Sequence, residues 1–79
     1  MAREARTADI VAEMVANVMA VAVAPGDSVA VGDAVVLLES MKMEIPVLTE
    51  HAGVVSAIKV TPGDVVQEGD VLVELTALR

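Results

Sequence analysis

"PGDSVAVGDAVVLL", residues 25 to 38, returns 37 positions later as "PGDVVQEGDVLVEL", residues 62 to 75. The match extends beyond the turn-formers: from Ala16 to Leu38 against Gly53 to Leu75, 11 of 23 aligned positions are identical. Self-similarity at a fixed offset marks two copies of one supersecondary unit. Its punctuation says which kind. Proline presets the backbone for the second position of a turn and glycine supplies the positive φ that may follow it, so Pro-Gly-Asp and the later Gly-Asp read as two turns in each copy. The runs between them are rich in valine, whose branching at Cβ suits a pleated strand. Each copy therefore reads as strand, Pro-Gly-Asp turn, a short extended piece through Val29 or Val66, a Gly-Asp turn, and a second strand.

The duplication also decides an ambiguous stretch. "IVAEMVANVMAVAVA", residues 10 to 24, taken alone has the composition of an Ala-rich amphipathic helix. Its counterpart "GVVSAIKV", residues 53 to 60, opens on glycine, carries branched residues and runs into Pro62-Gly63-Asp64, which is strand followed by turn. Both copies are read as strand. In the second strand of each unit, Val36 and Leu38 point inward with Leu37 outward, and Val73 and Leu75 do the same around Glu74. The expected fold is all-β: a flattened barrel-sandwich hybrid of two small antiparallel sheets with a pseudo-twofold internal repeat. Residues 1 to 8 lie outside the pattern and are expected to be a flexible tail, leaving residues 9 to 79 as the domain.

Composition sets the outer limits. Seventy-nine residues make one domain, and 56% hydrophobic content without any Phe, Tyr or Trp means a core of Val, Leu, Ile, Ala and Met. With no cysteine there is neither a disulfide framework nor a thiolate metal site, and a cytoplasmic home is the expectation. A net charge of −7 repels phosphate backbones and anionic headgroups, so neither nucleic acid nor membrane is an expected partner. The acidic residues in the Gly-Asp turns read as a solvated rim. Arg3 and Arg6 ahead of an apolar run imitate a leader sequence, but Glu13 and Asn17 interrupt the run. No uncharged apolar stretch reaches the ~18 residues of a membrane-spanning helix.

Between the two copies stands "ESMKMEIPV", residues 39 to 47. The repeat places Lys42 on the hairpin that joins the halves, a protruding tip. Such a turn ordinarily carries Gly, Asn, Asp or Pro. Here Met41 and Met43 put long apolar side chains where polar ones belong. Either they reach back onto the end of the barrel, or they form a surface that another protein covers, a use to which adaptable methionine is suited.

"ESMKMEIPV" within a duplicated, Gly-Asp-rich valine scaffold resembles the biotinyl domain of biotin-dependent carboxylases, the biotin carboxyl carrier protein family. The resemblance spans roughly residues 10 to 76. It implies that Lys42 forms an amide with biotin, attached by a biotin protein ligase, and that Met41 and Met43 help the ligase and partner enzymes recognise the tip. It further implies a carrier that visits a biotin carboxylase and a carboxyltransferase, such as those of an acyl-CoA carboxylase, and that has no catalytic residue of its own. The chain departs from the family in Ser40, often Ala there, and in Val15-Ala16, often Pro-Gly. It also lacks the inserted thumb of some carriers and any Pro/Ala-rich linker, and so looks like a free-standing carrier.

Rival readings are a lipoyl-type carrier, which usually shows Asp-Lys-Ala at the tip, a soft-metal binder using the Met41 and Met43 thioethers, and a structural barrel-sandwich adaptor. A metal would need a third soft ligand, and His51, single and beside Glu50, reads as an exposed loop residue. Lys59, aligned with Ala22, reads as an outward, solubilising strand residue. No Ser/His/Asp set or carboxylate pair marks a catalytic cleft.

Overall fold

Turn chemistry fixes the chain's course. The computed structural model describes residues 6–77, and among them four tight turns recur at Ala24–Asp27, Ala30–Asp33, Thr61–Asp64 and Gln67–Asp70. In each, the N–H of the aspartate donates to the carbonyl three residues back at 3.0 Å. The glycine in the third position has φ between 93° and 100°, which is the type II arrangement. The aspartate closes its turn a second time, its Oδ2 accepting the first residue's N–H at 2.8 to 2.9 Å. These carboxylates were expected to be a solvated rim. They are exposed, but each is also a turn clamp.

Eight strands result among the described residues: β1 (Arg6–Val11), β2 (Ala16–Val21), β3 (Ser28–Val29), β4 (Ala34–Ser40), β5 (Met43–Leu48), β6 (Gly53–Ile58), β7 (Val65–Val66) and β8 (Val71–Ala77). They form two four-stranded antiparallel sheets, ordered β1-β8-β6-β3 and β5-β4-β2-β7. This is the expected two-sheet, all-β architecture. Adding 37 to the bounds of β1 to β4 returns those of β5 to β8, and the same shift carries one sheet's order onto the other. The stretch 10–24 that could have been a helix holds the end of β1, a short loop and all of β2.

The repeat is longer than sequence identity indicates. β1 is the counterpart of β5 although Arg6–Val11 and Met43–Leu48 share no identical residue. The expected tail boundary is therefore corrected: Arg6, Thr7 and Ala8 pair with Ala77, Thr76 and Leu75 of β8. The physical reason is period-two alternation, since Ala8 and Ile10 turn toward the core while Thr7 and Asp9 face solvent. The remainder of the expected tail, residues 1–5, lies outside the described residues.

Between the sheets, Val18, Val35, Val36, Leu38, Val55, Leu72, Val73 and Leu75 are at most 2% exposed. Burying each such side chain stabilises by about 1.5–3 kcal/mol, so without an aromatic residue the fold rests on close packing of branched aliphatics. Val36, Leu38, Val73 and Leu75 point inward as the alternation predicts. Val35 and Leu72 are buried as well, against a strict alternation. Pairing passes from Ala34–Leu48 directly to Val36–Val47, and from Val11–Val71 to Ile10–Val73. Val35 and Leu72 are thus the extra residues of two equivalent β-bulges, which bend the strands and turn two successive side chains into the core. Thr49, 1% exposed, keeps its hydroxyl satisfied by donating to the His51 carbonyl at 2.7 Å and accepting the His51 N–H at 3.0 Å.

Candidate functional site: the tip of the β4–β5 hairpin

β4 and β5 pair without interruption from Leu37–Pro46 up to Ser40–Met43, leaving only Met41 and Lys42 to reverse the chain. A two-residue reversal that matches the right-handed twist of its strands is a type I′ turn, and both central residues must take positive φ. Met41 has φ 53° and Lys42 has φ 65°, the only non-glycine residues with positive φ among those described. Each costs about 1–2 kcal/mol relative to ordinary backbone. Asn-Gly would relieve most of that. The strain is held by the β4–β5 ladder below, anchored in the core through Val36 and Leu38.

The turn fixes what its side chains can do. Met41 is 89% exposed and Met43 59%, so Met41 stands almost wholly in water and Met43 mostly so. Lys42 is exposed between them. One pair below the turn, Glu39 and Glu44 stand directly opposite each other, Glu39 half-buried and Glu44 exposed. Ser40, also half-buried, pairs with Met43. The tip thus presents a primary amine between two thioether side chains above two carboxylates. As chemistry it offers one nucleophile, the exposed Lys42 amine.

The other charged residues singled out in the sequence lie elsewhere. His51 is exposed on the loop after β5, its backbone held by Thr49. Lys59 does more than solubilise: directly after β6 its Nζ reaches Glu74 Oε2 at 3.7 Å. At 49% and 38% side-chain exposure that pair is worth at most about 1 kcal/mol. What sequence reasoning missed at the tip is the opposed Glu39–Glu44 pair. The available signal was the two-residue turn itself, which fixes the register once Met41-Lys42 are taken as its centre.

A two-sheet barrel-sandwich with internal twofold repeat and a lysine at the corner of its connecting hairpin defines a class of small carrier domain. The chain belongs to the family described as "Biotin-requiring enzyme", whose profile matches residues 4–75. It is 59% identical over 46 residues to "Biotinylated protein TB7.3 homolog" of Mycobacterium leprae, covering 58% of this chain and 65% of that one. To "Biotinylated protein TB7.3" of Mycobacterium tuberculosis H37Rv it is 65% identical over 40 residues, 51% of this chain and 56% of the relative. The match to "Biotin/lipoyl attachment protein" of Bacillus subtilis is 47% over 42 residues, 53% of this chain and 58% of the relative. The chain thus spans somewhat more than half the length of the curated relatives it matches. Among solved structures, a single-chain, multi-domain long-chain acyl-CoA carboxylase superposes with TM-score 0.84 and 32% identity, over 90% of this chain and 7% of the other. The urea carboxylase of Kluyveromyces lactis gives TM-score 0.84 at 28% identity, over 95% of this chain and 7% of the other.

Proposed function

We propose that this domain is a biotin carboxyl carrier whose attachment point is Lys42, with Met41 and Met43 as the flanking surface that partner enzymes read. One observation carries the reading: in a chain of this family, the lysine sits at the corner of a strained, exposed type I′ turn between two exposed methionines. An amine forms an amide only through a free electron pair, so the attacking nitrogen must give up a proton. Modification therefore depends on a biotin protein ligase that takes the proton from Lys42 Nζ while the amide bond forms at the activated biotin carboxyl carbon, whose bond to the activating group breaks as that group leaves. The domain is the substrate of that step.

Joined to Lys42, biotin would supply a ureido nitrogen able to carry a carboxyl group between a biotin carboxylase and a carboxyltransferase. The chain's own residues do the positioning. The I′ turn aims the lysine stem away from the barrel, and the rigid ladder beneath keeps that direction fixed. Tethering then makes the second encounter intramolecular, raising effective concentration without any new contact. Likeness to the acyl-CoA and urea carboxylases supports carboxylase partners. The domain itself is read as non-catalytic and cytoplasmic.

The test is intact mass and peptide mapping after expression with a biotin protein ligase and biotin. One biotinyl group on Lys42, lost in Lys42→Arg, is expected. A lipoyl adduct, or label on Lys59, overturns the reading.

A further inference from the structure

Away from the tip, residues of the edge strands β1 and β5 and of the loops that follow them line an open slot of about 290 Å³. Each strand has a neighbour in its own sheet on one side only. The slot straddles the pseudo-twofold axis, because its lining comes in pairs separated by 37 positions: Val11 with Leu48, and Glu13 with Glu50. Its floor is apolar, formed by Ile10 and Val47. Val11 is 37% and Leu48 51% exposed at the mouth, so apolar surface stays in water there. Asp9, Glu13 and Glu50, all exposed, add three carboxylates to the lining, beside the exposed His51.

We infer that this slot is a docking site for an extended, cationic segment of a partner protein, with apolar side chains entering between Ile10 and Val47 and an Arg or Lys at each end meeting Glu13 and Glu50. Charge selects this occupant. A second copy of a chain carrying −7 would bring carboxylates against carboxylates, and anionic ligands are repelled in the same way. The volume sits at the lower limit of small-molecule pockets, which are about 300–1,000 Å³ and enclose most of their ligand, whereas this slot opens along two strands. Long sheet extension is blocked on one side. Because Ser40 and Met43 close the turn as a hydrogen-bonded pair, the alternation along β5 turns Pro46 toward its open edge, where no N–H is offered. Recognition therefore comes from side chains in the slot and charges at its two ends. The twofold relation puts Glu13 and Glu50 on opposite sides of the axis, which is why both ends of the segment are cationic.

The inference does not rest on biotin attachment and is tested on the unmodified full chain. The ¹⁵N-labelled protein is titrated with acetyl-Arg-Val-Thr-Val-Thr-Val-Arg-amide and, separately, with the same peptide bearing Glu at both ends. Amide shifts confined to residues 9–14 and 45–51 are expected with the Arg peptide alone, with residues 41–43 unmoved. The double variant Glu13→Gln/Glu50→Gln, exposed positions whose fold is checked by circular dichroism, should bind about fivefold more weakly, as two surface ion pairs allow. Added salt should weaken binding to the parent chain in the same direction. Equal response to both peptides, no response, or shifts outside the slot overturns the inference. Concentration-dependent slot shifts in the chain alone would assign the surface to a second copy instead and overturn it equally.

Discussion

Glu39 and Glu44 face each other across the tip hairpin, one residue pair below the turn that carries Lys42. Like charges directly opposite on antiparallel strands are destabilising, so the pair opposes the hairpin it belongs to. Under the proposed function, a ligase that brings a cation to the tip would relieve the repulsion when it docks. Glu44→Gln is accordingly expected to raise stability by about 0.2–1 kcal/mol while slowing biotinylation by the ligase. The denaturation midpoint and the initial rate of biotin incorporation measure the two halves. If electrostatic steering is the cause, the difference in rate narrows as salt is added.

The turn itself holds more strain than its neighbours. Met41 occupies the first central position of a type I′ turn at φ 53°, where Asn is favoured. Met41→Asn should therefore stabilise the domain by about 1 kcal/mol and lower carboxyl transfer, because the 89%-exposed thioether side chain is gone. Stability and activity moving in opposite directions is the signature. A variant that loses stability would show that Met41 contributes packing its exposure does not reveal.

Gly63 tests the turns of the scaffold. Its φ is 100°, and a Cβ built there meets nothing within 4 Å, so Gly63→Ala isolates the cost of backbone conformation from any clash. About 1 kcal/mol of destabilisation is expected. At the other turn of the second unit, Asp70→Ala removes the acceptor of the Gln67 N–H, whereas Asp70→Asn keeps a side-chain oxygen in place. The alanine variant should lose about 0.5–1.5 kcal/mol and the asparagine variant less.

These turns explain why so much of the fold could be read from the chain. Pro-Gly-Asp demands particular residues at particular positions, so the duplication survives as identity and places the strands, the core of Val36, Leu38, Val73 and Leu75, and the hairpin carrying Lys42. An edge strand demands only alternation. Thr7, Ala8, Asp9 and Ile10 satisfy it without matching their aligned counterparts in β5, so the domain boundary expected at residue 9 cuts β1 after Ala8. The bulges at Val35 and Leu72 have no residue signature either, since valine and leucine fit a strand equally well paired or unpaired. At the tip, the absence of Gly or Asn marked Met41-Lys42 as unusual, but the sign of φ and the facing of Glu39 and Glu44 follow from register.

Met41 and Met43 separate recognition from folding. Replacing both by Leu keeps apolar volume, and at 89% and 59% exposure neither thioether contributes packing that the core would miss. The denaturation midpoint should stay within about 0.5 kcal/mol of the parent, as for surface substitutions in general. Leu38→Ala, at 1% exposure in the strand directly below, should by contrast cost about 2–5 kcal/mol. Function should divide along a different line. Attachment of biotin needs a lysine presented in the correct turn, which the double variant retains because the β4–β5 ladder is untouched. In the proposed carrier role, carboxyl transfer needs the base of the arm to dock in two active sites in succession, and branched Leu adapts to two surfaces less well than unbranched Met. Biotinylation is therefore expected to fall less than carboxylase activity reconstituted with partner subunits. Equal losses in both would mean that the methionines are read chiefly by the ligase, and normal activity in both would mean that apolar volume alone suffices at the tip.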